Sequence, residues 1–254
     1  MLKRRLLPLA LALGAAAGAS AAEPAPEGAV RLEPPTAGRG SALVVDVDPR
    51  GSAPSGGETP KSVSVLFQRG FRFEPRAVRG RCGDAQAQEG TCPENSRIGR
   101  GSAEGTAGTL AGPVKFTASI DLFLARPRSG GDLADVIVEV KEPQSNMRGS
   151  ARGSLRALSA GQFGSALSFD VSGEDAQPPA GVTSVEIERV QLRVGAKRSV
   201  TYKKKVRGKF VTRRRTLSLV TNPPKCNGTW LIRLSARYAD REVQRDARPP
   251  CSRP

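Results

Sequence analysis

Histidine is absent from all 254 residues. That removes the side chain that most often serves as general base, as metal ligand and as a charge switch near neutral pH. Aromatic residues are scarce at 4% of the chain, with a single Trp and two Tyr. A sugar-binding cleft or a base-stacking platform therefore has little to draw on, and any core must rest on Val, Leu, Ile and Ala, each with a modest burial gain. No D-x-[DN]-x-[DN]-G calcium loop occurs, and no S-x-x-K dyad stands on a convincing helix. The four cysteines lack the C-x₂₋₄-C spacing of a structural zinc site. No cofactor is expected.

Long apolar runs are confined to the N-terminus. Lys3, Arg4 and Arg5 precede an apolar stretch from Leu6 to Ala17, and Gly18-Ala19-Ser20-Ala21-Ala22 supplies small residues for cleavage after Ala21 or Ala22. The pattern is that of an export signal. With Pro8 and Gly14 inside it, the run falls short of the about 20 apolar residues that span a bilayer. No later run reaches that length, so no transmembrane anchor is expected and the mature protein is expected outside the cytoplasm, secreted or attached to the envelope. The organisation expected is a signal peptide over 1–22, a loosely ordered lead-in over 23–40, rich in Pro, Ala and Gly, and one domain over 41–254.

Outside the cytoplasm thiols oxidise, so Cys82, Cys92, Cys226 and Cys251 read as two structural disulfides. Four cysteines allow three pairings. The local one, Cys82 with Cys92 and Cys226 with Cys251, is favoured by nearness in sequence, and closing those loops is worth about 2.8 and about 3.5 kcal/mol in the chain-entropy model.

Alternation with period two dominates the rest. Leu43, Val45 and Val47 share one face of a first candidate strand, with Val44, Asp46 and Asp48 on the other; Val63, Val65 and Phe67 repeat the pattern. Val114, Phe116, Ala118, Ile120, Leu122 and Leu124 form the longest series, opposite Lys115, Thr117, Ser119 and Asp121. Trp230, Ile232, Leu234, Ala236 and Tyr238 form another near the C-terminus. Such alternation marks strands buried on one face and wet on the other. Weaker candidates are 134–141, 147–158, 163–171 and 182–194; in the last the apolar phase slips between Ile187 and Val190, which predicts a bulge at Glu188 and Arg189. Turn residues at Pro49-Arg50-Gly51, Ser55-Gly56-Gly57, Arg128-Ser129-Gly130-Gly131 and Gln177-Pro178-Pro179-Ala180-Gly181 separate the runs. Beyond the signal, only Asp84–Gly90 has room for a helical turn. About ten short strands predict an all-β fold, a jelly-roll-like β-sandwich with two local disulfides.

The stretch from Val63 to Gly101 resembles a group of secreted proteins of high-GC actinobacteria. The resemblance rests on Arg69-Gly70-Phe71-Arg72-Phe73-Glu74-Pro75, on Cys82, and on Cys92-Pro93-Glu94-Asn95-Ser96-Arg97-Ile98-Gly99-Arg100-Gly101. The closing block, Cys226-Asn227-Gly228-Thr229-Trp230 followed by an alternating strand and Cys251, resembles the ending these proteins share. The resemblance implies an envelope or extracellular β-rich protein with paired cysteines and carries over no activity. On its own chemistry, the first block reads as a stapled loop in which Gly70, Gly80, Gly99 and Gly101 supply backbone freedom and Ser96 satisfies a local backbone group.

Two features bear on function. Glu186 and Glu188, and likewise Asp46 and Asp48, are two residues apart and so share a strand face. A carbohydrate-active enzyme uses such acids in pairs across a cleft; exposed polar strand faces account for them better. The second feature is charge. The formal net charge is +16, and +13 once Lys3, Arg4 and Arg5 leave with the signal. Lys197, Arg198, Lys203, Lys204, Lys205, Arg207, Lys209, Arg213, Arg214 and Arg215 follow one another with no acid among them. Val200, Tyr202 and Val206 alternate on one side, Gly208 marks a turn, and Phe210 opens a return strand, which together predict a long basic hairpin. One use is a grip on anionic cell-wall or extracellular polymers such as teichoic acid or acidic polysaccharide, or on anionic lipid headgroups. The other is a solvated hairpin whose charges prevent edge-to-edge pairing. Nucleic acid is the least favoured partner, because export separates the protein from it and few aromatics interleave with the charges. The function expected is a non-enzymatic, exported binding or structural module; the alternatives are the Asp/Glu enzyme and a lipid or small-ligand carrier.

Overall fold

The structure, a computed structural model, describes residues 28–47, 61–143, 147–170 and 182–254. The expected export signal, Asp48, the turns at 49–51, 55–57 and 177–181, and the side chains of Val47 and Glu186 lie outside the described residues.

The strands are β1 (Gly28–Glu33), β2 (Gly40–Val47), β3 (Ser62–Gln68), β4 (Arg72–Phe73), β5 (Arg97–Thr109), β6 (Gly112–Ala125), β7 (Asp132–Glu142), β8 (Met147–Ala157), β9 (Phe163–Asp170), β10 (Val182–Val194), β11 (Lys197–Val206), β12 (Lys209–Ser218), β13 (Val220–Thr221), β14 (Ile232–Arg237) and β15 (Glu242–Ala247). One short helix, α1 (Asp84–Glu89), lies between Cys82 and Cys92. Thirteen strands make one antiparallel sheet in the order β15-β14-β3-β9-β8-β7-β6-β5-β10-β2-β13-β4, with β1 against β2; β11 and β12 form a separate two-stranded ribbon. The protein is therefore all-β. The middle of the sheet, β5 to β9, is a plain meander, and strands from both ends of the chain flank it. Jelly-roll connectivity is not what this order shows.

The sheet curls around its apolar face. Leu43 of β2, Phe67 of β3, Ile120, Leu122 and Leu124 of β6, Val136 of β7 and Ile232 of β14 all belong to one buried cluster, although their strands are far apart in the sheet. Trp230, 1% exposed, lies in this cluster edge-on to Phe71 at 5.9 Å between ring centroids. Its indole Nε1 donates to the carbonyl of Lys225 at 3.0 Å, so the ring is buried without an orphaned donor. The bulge expected in β10 is present, as a register shift between Ile187 and Arg189.

Both disulfides have the local pairing, Cys82–Cys92 and Cys226–Cys251. The first staples a flap carrying α1 over the outer face of β6 and β7. There Cys82, Phe123, Ala125 and Ile137 form a second buried cluster, with Ala87 and Cys92 against it. Arg152 of β8 locks the flap down. Its Nε donates to Asp135 Oδ2 at 2.7 Å, its Nη2 to the carbonyl of Arg126 at 2.8 Å, and its Nη1 pairs with Asp84 of α1. Arg128 adds a 3.0 Å pair to the same Asp84.

Three expectations are corrected. The lead-in is ordered from Gly28 onwards: Val30 and Leu32 of β1 are buried, and the amides of Ala37 and Gly38 donate to the carbonyls of Ser252 and Pro223. Two alternating apolar residues followed by Pro34-Pro35 are too short a signal to separate from coil. The alternation of β6 also misplaces its burial. Val114 is 51% exposed because β5 and β6 run on into a projecting arm, while Phe123 on the supposedly wet face is buried under the flap. Last, Gly101 supplies room more than backbone freedom: a Cβ there would lie 1.9 Å from the carbonyl oxygen of Gln191 on β10. Ser96 does satisfy a local group, donating to the carbonyl of Pro93 at 2.6 Å.

Candidate functional site, a cationic hairpin

The basic segment folds as expected into a hairpin, with β11 and β12 paired from Lys197↔Ser218 to Val206↔Lys209. The connection is the two-residue loop Arg207-Gly208, with φ of 48° and 80°. Positive φ at both central residues is the signature of a type I′ turn, whose twist matches that of the strands it joins. Gly208 accepts that conformation freely; Arg207 holds it at a cost of about 1 kcal/mol.

Residues directly opposite each other share a face. One face therefore carries Arg198, Lys204, Lys209, Arg213 and Arg215 among Val200, Tyr202, Val206, Val211 and Leu217. The other carries Lys197, Lys203, Lys205 and Arg214 among serines and threonines, with Phe210 as its only apolar residue. All the cations named from the sequence are exposed apart from Arg198, which is half-buried near the body. The structure thus brings the whole predicted set onto one ribbon. Among the described residues none of these cations is paired with a carboxylate. Arg215 instead lies over the ring of Tyr202, 5.5 Å from its centroid.

Only the base of the hairpin joins the body, where Ala196 and Leu217 pack against the main core and the amide of Leu219 donates to the carbonyl of Ala196. The ribbon beyond is wet on both faces. Ten like charges on strands about 30 Å long repel one another and create a strong local positive potential. An anionic partner relieves that repulsion, and the guanidinium forks of Arg213–Arg215 suit phosphate and carboxylate oxygens.

The acids read as a possible catalytic pair are engaged in cross-strand ion pairs where the structure describes them. Asp46 accepts both Nε and Nη2 of Arg189 at 3.0 and 2.9 Å and the amide of Gln191 at 3.2 Å. Those donors, Arg189 first, hold its carboxyl below the usual carboxylate range. Both oxygens of Glu188 accept Lys115 Nζ at 2.9 Å, and Oε1 also accepts Thr106 Oγ1 at 2.7 Å. Asp48 and the Glu186 side chain lie outside the described residues. Sequence reasoning passed over Asp135, Arg152 and Asp84, because Asp135 shares the outer face of β7 with Ile137 and reads as solvent-facing until the flap covers it. Among the described residues, no group of three or more Cys, Asp or Glu is arranged to hold a metal ion.

A recess of about 310 Å³ lies beside the second disulfide, lined by Gly70, Pro223, Pro224, Asn227, Thr229 and Trp230. Three of its polar neighbours are already used, with Gln68 accepting the amide of Leu231. Arg69 donates to the carbonyls of Ser159 and Gly161, and the Trp230 indole to Lys225. Of the surfaces described, the hairpin is where unpaired chemistry is concentrated. Comparison with known proteins adds no relative to this picture: no family model, no curated protein and no solved structure matches the chain.

Proposed function

We propose that the chain is an exported, non-enzymatic module of the cell envelope or its surroundings that grips anionic envelope material, such as phosphate- or carboxylate-bearing wall polymers, along the β11–β12 ribbon. The observation that carries this reading is the set of ten lysines and arginines on a projecting hairpin with no carboxylate partner among the described residues. The two disulfides support an oxidising compartment, as does the signal-like N-terminus. No helix among the described residues is long and apolar enough to cross a membrane. The absence of histidine removes the commonest general base, and Asp46 and Glu188 are occupied by ion pairs.

Retention on isolated wall material tests the proposal. Wild-type protein is expected to be retained at low salt and released as ionic strength rises, because exposed charges are screened over about 8 Å at physiological salt. Replacing Lys203–Lys205 and Arg213–Arg215 by Gln is expected to abolish the salt-sensitive part. Equal retention of the neutralised protein would make the hairpin a solvated, edge-protected ribbon and nothing more.

A further inference from the structure

We infer that the distal end of the hairpin is a tip-first anchor for a bilayer surface rich in anionic phospholipid, in which Phe210, Val211 and Val206 enter the acyl boundary and Lys204, Lys205, Arg207 and Lys209 hold the headgroup phosphates. The inference rests on the reading of the ribbon as an anion grip and names the surface its tip meets.

Exposed apolar side chains carry it. Six large hydrophobic residues are exposed among the described residues, and three belong to this one hairpin: Phe210 at 72%, Tyr202 at 40% and Val211 at 39%. A ribbon that needs charge only to guard its edges gains nothing from a phenylalanine beside its turn. A hydrophilic polyanion held by ion pairs would leave that ring in water. A lipid boundary covers both kinds of group together, since apolar side chains enter it while lysine and arginine stems reach back to the headgroups.

The register decides how the ribbon meets that boundary. The last rungs pair Lys204 with Val211, Lys205 with Phe210, and Val206 with Lys209. Phe210 lies on one face, whereas Val206 and Val211 lie on the other. A ribbon lying flat would leave one of these groups in water; entry by the tip covers all three. Three rungs at about 3.4 Å each match the about 5–10 Å to which interfacial elements penetrate. Four cations occupy the same depth. Lys203 and Arg213–Arg215 follow on the next rungs, placed for the headgroups of neighbouring lipids. No acid on the ribbon opposes the approach, and each cation adds attraction that fades within a Debye length of the surface. Arg207 belongs to the same arrangement: a cation stands at the outermost point of the turn, at a positive φ where Asn or Gly is at ease.

The test compares the purified mature protein, begun at Glu23, and its variants on vesicles of equimolar phosphatidylglycerol and phosphatidylcholine, on vesicles of phosphatidylcholine alone, and on inorganic polyphosphate. The variant Phe210→Ser/Val211→Ser keeps every hairpin charge, and both positions are exposed, so its unfolding midpoint is expected to match the wild type. Wild-type protein is expected to bind the anionic vesicles and not the neutral ones. The serine variant is expected to bind the anionic vesicles at least about tenfold more weakly, the loss that follows from keeping one phenyl ring and one isopropyl group in water, with polyphosphate binding unchanged. In Phe210→Trp, the added fluorescence is expected to shift to shorter wavelength with anionic vesicles only. If the serine variant binds vesicles as tightly as wild type, or wild type binds polyphosphate and ignores vesicles, the lipid anchor is overturned while the anion grip stands. If Gln at Lys203–Lys205 and Arg213–Arg215 leaves binding to both probes intact, the underlying grip fails as well.

Discussion

At the scale of single residues, the buried polar contacts are the most exacting. Asp135 is buried, and its Oδ2 accepts from Arg152 and from the amide of Arg128. Truncating Arg152 leaves that carboxylate in an apolar surround, so Arg152→Ala is expected to cost about 3 kcal/mol, the lower end for breaking a buried pair, since Arg152 is partly exposed. Urea unfolding measures it, and Asp135→Asn in the Arg152→Ala background is expected to recover part of the loss by removing the stranded charge. Full additivity of the two changes would deny the coupling. Trp230→Phe keeps most of the ring volume but leaves the carbonyl of Lys225 without its donor, for an expected loss of about 1–3 kcal/mol. Neither effect is visible in the sequence. Trp230 announces itself as the lone tryptophan of an alternating run, but its hydrogen bond depends on a loop four to five residues upstream. Asp135 and Arg152 meet only because β7 and β8 pair in the register that they do.

At the scale of elements, the hairpin and the two stapled loops respond to different changes. Arg207→Asn relaxes the turn and removes one of ten like charges, so the melting temperature is expected to rise, by an amount corresponding to at most about 1 kcal/mol. The same variant is expected to bind anionic surfaces more weakly, a stability gained at the expense of binding. A fall in melting temperature would contradict the type I′ assignment. Replacing Cys226 and Cys251 by Ser is expected to cost about 3.5 kcal/mol, and replacing Cys82 and Cys92 about 2.8 kcal/mol, as ceilings from loop closure. Cys226–Cys251 fastens the chain end, where Thr229 bridges Pro250, beside Trp230. Cys82–Cys92 fastens only the flap, so its loss is expected to expose Phe123 and Ile137 to solvent while the main sheet persists. Hydrogen exchange confined to β6 and β7 checks that distinction. The hairpin was the most legible element, since ten charges, alternation and a central glycine coincide in one stretch. The flap was the least legible, because Phe123 reads as solvent-facing until another segment is laid over it.

At the scale of the whole molecule, stability is expected to be indifferent to pH from about 5 to 8, because no histidine titrates there. Below that range the carboxylates take over. Arg193, then Arg31, hold Glu33 low; Arg189 does so for Asp46, Arg128 and then Arg152 for Asp84, and Arg233 for Asp246. Each pKa is lower in the folded chain than in the unfolded one, so acid favours unfolding. The contribution is complete above about pH 5 and is lost as the pH falls through and below about 4. Scanning calorimetry across this range checks it, and added salt is expected to flatten the slope because these pairs are exposed. By itself the sequence determined the strand class, the positions of most strands and the gathering of positive charge, and it favoured the local cysteine pairing, because alternation, turn residues and charge runs are local and survive without neighbours. Only the tertiary structure decided that one sheet curls around a single core, that β1 joins it, that a stapled flap buries a second face, and that the apolar residues of the hairpin stand on opposite faces beside its turn. Those outcomes depend on register and on which distant segments meet, and both are set by packing across the sheet.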